Sequence, residues 1–327
     1  QIKIHDIVGM NQKKEFLTQV NLPIVDFKGK VTFGIYQRET KYLTVMTHCL
    51  KHHPLINQTL LDLEEILNNT KCKTYNDKFR TGLRFIKIRV FQDKVQLIFI
   101  TGKDGLKDEV VAGIKKLKYV SGLFMSINTA KYQDFEKQGY KKIFGNSKEE
   151  LYVDHQKYIL SVKSSLPDHI EAFEVENKII KTMIKESQKV ISLNCGNGIL
   201  EMNLPQEVVA IDNKKENIED ATYNAKALGK DNIRFVYGDS LKKMVPFAKK
   251  KDYDTVIIRG INRISDELKD TLRLGKVKTV IYVNSSTSML AKDLQELSKY
   301  YKVIEIKAVD SHIYQSYVTS IVKLIKK

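Results

Sequence analysis

Val190-Ile191-Ser192-Leu193-Asn194-Cys195-Gly196-Asn197-Gly198 is an apolar, strand-like run that ends in a G-x-G turn, with a further element expected from Ile199. Glycines in such a turn remove the side chains that would keep a nucleoside cofactor from touching the main chain. Asp212 closes the next strand-like run, where its carboxylate could accept hydrogen bonds from both hydroxyls of a ribose. Gly196, Gly198 and Asp212 together predict a nucleoside pocket. The same residues also fit a tight turn with a surface aspartate in any α/β domain.

Working outward, Lys189 to Leu193, Val208 to Ile211, Ile233 to Val236, Thr255 to Ile258 and Thr279 to Val283 are strand-like. Between them, Glu216 to Leu228, Glu267 to Leu274 and Met289 to Tyr300 have the length and period of helices. Strand–helix alternation predicts a parallel sheet with helices on both faces. Lys302 to Ala308 and Tyr317 to Leu324 follow one another without a helix, which predicts a closing antiparallel pair. The expected class is α/β, a Rossmann-like seven-stranded sheet. Such a sheet ending in a hairpin is the common architecture of S-adenosylmethionine-dependent methyltransferases, an analogy of fold that does not assign function.

Composition shifts near residue 160, so the expected domains are 1–160, a smaller α+β domain, and 161–327, the Rossmann-like domain. In the first, Val31 to Tyr36, Leu83 to Val90 and Val95 to Thr101 read as half-buried antiparallel strands, and Leu55 to Leu67 and Lys107 to Leu117 as helices. No window holds the roughly 18 apolar residues of a membrane span, so no membrane partner is expected. Cys49, Cys72 and Cys195 are too few and scattered for a disulfide framework, which suits a reducing compartment. The chain begins at Gln1 and not at Met, as it would if a start segment were processed away or left out; a cleaved mitochondrial presequence would suit this, and the expected place is intracellular, cytoplasmic or mitochondrial. A net charge of +16, with short lysine runs such as Lys249 to Lys251, points to nucleic acid as partner, or to a solubilising surface charge.

The residues also carry a family resemblance. The series Cys195-Gly196-Asn197-Gly198, Asp212, Asn224-Ala225, Asn232, Phe235, Gly238-Asp239, Tyr282-Val283, Leu290-Ala291-Lys292-Asp293-Leu294 and Val309-Asp310 resembles the core of the RNA uridine-C5 methyltransferases of tRNA and rRNA. Lys13 to Phe16, Gly34 to Tyr36, Cys49 with Pro54 and Asn57, and Gly82 to Arg89 resemble that family's central domain. In the family a cysteine within Ser-Cys-Asn-Pro adds to the uracil ring; here the string is Asn284-Ser285-Ser286-Thr287, with Ser285 at the nucleophile's position. A Glu within His-Val-Glu acts as base; here Thr319 stands in its place, within Tyr317-Val318-Thr319-Ser320. An Asp-Pro-Pro-Arg-like turn reads Arg259-Gly260-Ile261-Asn262. The Phe-Gln-x-Asn string becomes Leu166-Pro167-Asp168-His169, and an acidic residue of the first strand becomes Ser192.

Taken with the resemblance, these departures imply a catalytically inactive member with no cofactor. Such a protein would bind RNA as a structural or assembly component of a ribosome or another ribonucleoprotein, with protein neighbours there. Arg259 would face the old cleft, hostile to a sulfonium cofactor and able to pair with phosphate. The alternative is an active, divergent S-adenosylmethionine-dependent RNA methyltransferase whose chemistry, such as ring-nitrogen methylation, needs no cysteine adduct. The iron-sulfur cysteines of the family are missing. Cys49 matches one of their positions, and His48, His52 and His53 around it read as a solvated loop without a metal.

Overall fold

The computed structural model describes residues 2–37, 40, 42–46, 48–130, 139–250 and 252–327; Gln1 and Lys251 lie outside the described residues. The chain divides into two compact units. One comprises residues up to Asn11, Tyr152–Ser165 and His169–Lys327; the other comprises Gln12–Leu151 and Leu166–Asp168. The first half of the chain runs through β1 (Lys3–Ile4), β2 (Gln19–Phe27), β3 (Lys30–Tyr36), β4 (Leu43–Val45), α1 (Pro54–Asn69), β5 (Leu83–Phe91), β6 (Lys94–Thr101), α2 (Asp108–Lys115), β7 (Val120–Ile127), β8 (Lys141–Gly145), β9 (Lys148–Val153) and β10 (Gln156–Ser161). The second continues through α3 (Ile170–Met183), β11 (Lys189–Leu193), α4 (Ile199–Met202), β12 (Glu207–Asp212), α5 (Lys215–Ala227), β13 (Ile233–Tyr237), α6 (Ser240–Ala248), β14 (Thr255–Ile258), α7 (Asp266–Leu274), β15 (Thr279–Asn284), α8 (Thr287–Leu297), β16 (Tyr301–Val309) and β17 (Thr319–Lys326).

In the 12–151 unit, the described strands order as β4-β3-β2-β5-β6-β7-β8. Pro54 opens α1, where its missing N–H costs nothing, and Ile56, Leu60, Leu63 and Leu67 recur at helical spacing and are fully buried against the sheet. Two features depart from the sequence reading. β6 pairs parallel with β7 across the α2 crossover, and its residues from Val95 to Thr101 are all buried, because it lies between β5 and β7 and is covered on both faces. The segment around Cys49 is not simply solvated: His52 is 3% exposed, Asn57 Oδ1 accepts from the Cys49 N–H at 3.1 Å, and His53 Nδ1 caps α1 by accepting from Leu55 N–H. Among the described residues no group of three metal-ligating side chains converges.

In the other unit the described strands order as β1-β16-β17-β15-β14-β11-β12-β13. β11 to β15 are mutually parallel, and β17 is antiparallel to both β15 and β16. The seven expected strands are present as a mixed α/β sheet, and β1 adds an eighth by pairing Lys3 with Glu305. Strands β11, β12, β14 and β15 are buried almost throughout, as helix-covered parallel strands must be. This topology brings Leu193, Asp212, Arg259 and Ser285, at the C-terminal ends of parallel strands, to one sheet edge with Thr319 at the start of β17. Ligands of open α/β sheets lie at that edge. Among the described residues no helix is long and apolar enough to cross a membrane.

Candidate active site

The turn after β11 is left-handed at Asn194, Gly196 and Gly198, with φ of 53°, 61° and 72°. The two glycines have different tasks. A Cβ on Gly198 would come within 2.5 Å of the Phe235 ring, so this glycine lets the turn pack against β13. A Cβ on Gly196 would meet nothing within 4 Å, leaving its main chain open to approach. Asp212 ties the turn to β12: Oδ2 accepts from Gly196 N–H at 2.9 Å, while Oδ1 accepts from Lys214 N–H at 2.8 Å and Asn217 Nδ2 at 3.1 Å. Three of a carboxylate's roughly four acceptor positions are thus taken, and the remaining one is on Oδ2. Cys195 beside it is buried, and burial first, then the charges of Glu201 and Asp212, pushes its thiol well above the ordinary range.

The missing strand carboxylate and the inverted charge at Arg259 turn out to be one feature. Ser192 Oγ donates to Glu201 Oε1 at 2.6 Å, and Arg259 Nη2 donates to the same oxygen at 2.7 Å. Glu201, on α4, is fully buried and Arg259 is 16% exposed. Arg259 is therefore engaged inside the protein, and an isolated positive charge at this edge disappears with that pairing. The objection to a sulfonium ligand falls with it. Asn194 Nδ2 donates to the Arg259 carbonyl at 2.9 Å, locking the two turns together.

At the end of β15, Asn284 Nδ2 reaches the carbonyls of Ile261 and Asn262 and the Tyr282 hydroxyl. Asp293, fully buried in the matched Leu290 to Leu294 string, accepts from Tyr282 Oη at 2.7 Å and from Ile264 N–H at 3.1 Å. These matched positions hold the loops that frame the site.

Ser285, Thr319 and His312 then come together. His312 Nε2 is 3.2 Å from Ser285 Oγ and 3.5 Å from Thr319 Oγ1, and the two hydroxyls are 3.2 Å apart. The sequence offers no evident base for Ser285; the structure supplies one from the loop between β16 and β17. His312 lies two residues beyond the matched Val309-Asp310 string, so a titratable residue beside that string was the available signal. A carboxylate also reaches this corner from α3. Glu176 accepts from Ser311 Oγ, and burial pushes its carboxyl above the ordinary range despite hydrogen bonding and the Arg259 charge.

A family model described as a methyltransferase domain matches residues 184–324. An uncharacterized RNA methyltransferase of Halalkalibacterium halodurans is 28% identical over 97% of this chain and 72% of its own length. One of Streptococcus agalactiae is 26% identical over 99% of this chain and 74% of its own. Among solved structures, the Pyrococcus abyssi tRNA (uracil-54, C5)-methyltransferase in complex with S-adenosyl-L-homocysteine superimposes with a TM-score of 0.80 at 18% identity, covering 99% of this chain and 79% of that one. The expectation of an inactive, cofactor-free ribonucleoprotein component is overturned by the names of the relatives, which align along nearly the whole chain as RNA methyltransferases. Residues 184–324 match the methyltransferase-domain model, within a chain that resembles bacterial RNA methyltransferases over almost all of its length.

Proposed function

We propose that the chain is an S-adenosylmethionine-dependent RNA methyltransferase. The observation that carries this reading is the turn at Gly196. Its main chain is open to approach, and it is bonded to an Asp212 carboxylate that keeps one acceptor position on Oδ2. These residues suit a nucleoside with a free ribose hydroxyl, and the Arg259 charge at this edge is compensated by Glu201. When bound, S-adenosylmethionine supplies an electrophilic methyl group. The chain's own part is to hold the ribose at Asp212, to keep the turn open at Gly196 and packed at Gly198, and to orient the acceptor at the Ser285 corner. The net charge of +16 favours a polyanionic substrate, and the relatives' names point to RNA.

Calorimetric titration of the purified chain with S-adenosylhomocysteine tests the pocket. Micromolar binding that Asp212→Ala weakens at least about tenfold, the size of one lost charge-assisted hydrogen bond, is the expected result. Absence of binding at millimolar ligand would overturn the reading.

A further inference from the structure

We propose that His312 is the proton acceptor of the reaction, so that the methyl group goes to a nucleoside nitrogen or oxygen that carries a proton. This rests on the methyltransferase reading above. The geometry is a triangle of Ser285 Oγ, Thr319 Oγ1 and His312 Nε2, with sides of 3.2, 3.2 and 3.5 Å, at the sheet edge shared with the Gly196 turn. His312 stacks at a tilt on Tyr317, with centroids 4.6 Å apart, and Glu176 accepts from Ser311, the residue before His312.

Methylation of a pyrimidine carbon needs a nucleophile to add to the ring first. The cysteine described in this unit, Cys195, is buried with its thiol pushed up, and Cys49 and Cys72 belong to the other unit. Addition by Ser285 would require Nε2 to take the hydroxyl proton and a second base to take the ring proton later; Thr319 at that second position is not a base, and the Glu176 carboxyl at this corner is engaged by Ser311. A heteroatom acceptor asks for less. Its lone pair forms the bond to the methyl carbon, the electron pair of the broken carbon–sulfur bond stays on sulfur, and the N–H or O–H proton passes to Nε2 directly or through Ser285 Oγ. The half-buried imidazole then returns that proton to solvent.

The test incubates the full chain with methyl-tritiated S-adenosylmethionine and total cellular RNA, followed by nucleoside digestion and mass spectrometry. Wild type should yield an N-methylated or 2′-O-methylated nucleoside, the two products separating the nitrogen from the oxygen acceptor. His312→Ala should slow transfer by about 10²-fold or more, with S-adenosylhomocysteine affinity unchanged, and added imidazole should restore the rate. A C-methylated pyrimidine, or a His312→Ala variant as fast as wild type, overturns this inference and leaves the methyltransferase reading intact. No transfer by wild type overturns both. Nitrogen NMR of the protein without ligand gives an independent readout: Nε2 should be unprotonated, with a shift that moves in Ser285→Ala. A dominant Nε2–H tautomer would also overturn the proposal.

Discussion

Arg259 Nη2 lies 2.7 Å from Oε1 of Glu201, a glutamate with no exposed surface. Removing the arginine would leave the carboxylate buried with one hydrogen bond from Ser192. Arg259→Ala should therefore destabilise the chain by about 3–5 kcal/mol in urea unfolding, while Arg259→Met combined with Glu201→Met should cost much less. A loss below about 0.5 kcal/mol for the single variant, typical of a surface substitution, would show that the pair is not compensating charge.

The two glycines of the turn should fail differently. Gly198→Ala brings a methyl group into the Phe235 ring as well as straining a φ of 72°, so it should cost more than the 1–2 kcal/mol of a left-handed non-glycine residue. Gly196→Ala meets open space and should cost about that strain alone, yet it should impair S-adenosylhomocysteine binding, because its methyl group intrudes where the cofactor would approach. Equal binding losses at equal stability would contradict this division of roles.

Glu176 makes stability depend on pH in an unusual direction. Burial raises its carboxyl above the ordinary 4.5, so above pH 4.5 the unfolded chain has released a proton that the folded chain still holds. Stability contributed by this group should therefore fall as pH rises from 4.5 through its folded value, and remain reduced above it. In Glu176→Gln that decline should disappear, so the variant gains on wild type across the window. Parallel stability curves for the two proteins would refute the assignment.

Much of the sheet was legible because buried parallel strands are short apolar runs between polar breaks. Lys189–Leu193 and Thr255–Ile258 have the bounds their sequences suggest. Other elements were not legible for local reasons. α6 contains Pro246, which argues against a helix, yet Asp239 caps its start by accepting from Lys242 N–H. β1 is two residues long and exists only through its pairing with Glu305 and Ile306. The site divides in the same way. Gly196, Gly198 and Asp212 lie on consecutive strand ends and can be read from spacing. Glu201–Arg259 and Ser285–His312 are brought together across 58 and 27 residues by the order of strands, which no local pattern encodes. Ser285 and Arg259 each gain a partner that is distant in sequence and adjacent in the fold.

The most direct measurement of the central claim is transfer of the labelled methyl group of S-adenosylmethionine by the purified chain into RNA, with DNA and protein as parallel acceptors and Asp212→Ala as control. RNA labelling that rises with enzyme and time, is inhibited by S-adenosylhomocysteine and is lost in the Asp212 variant is the predicted result. Labelling that stays at the level of an enzyme-free control for every RNA preparation, or that appears only in DNA or protein, would contradict the account.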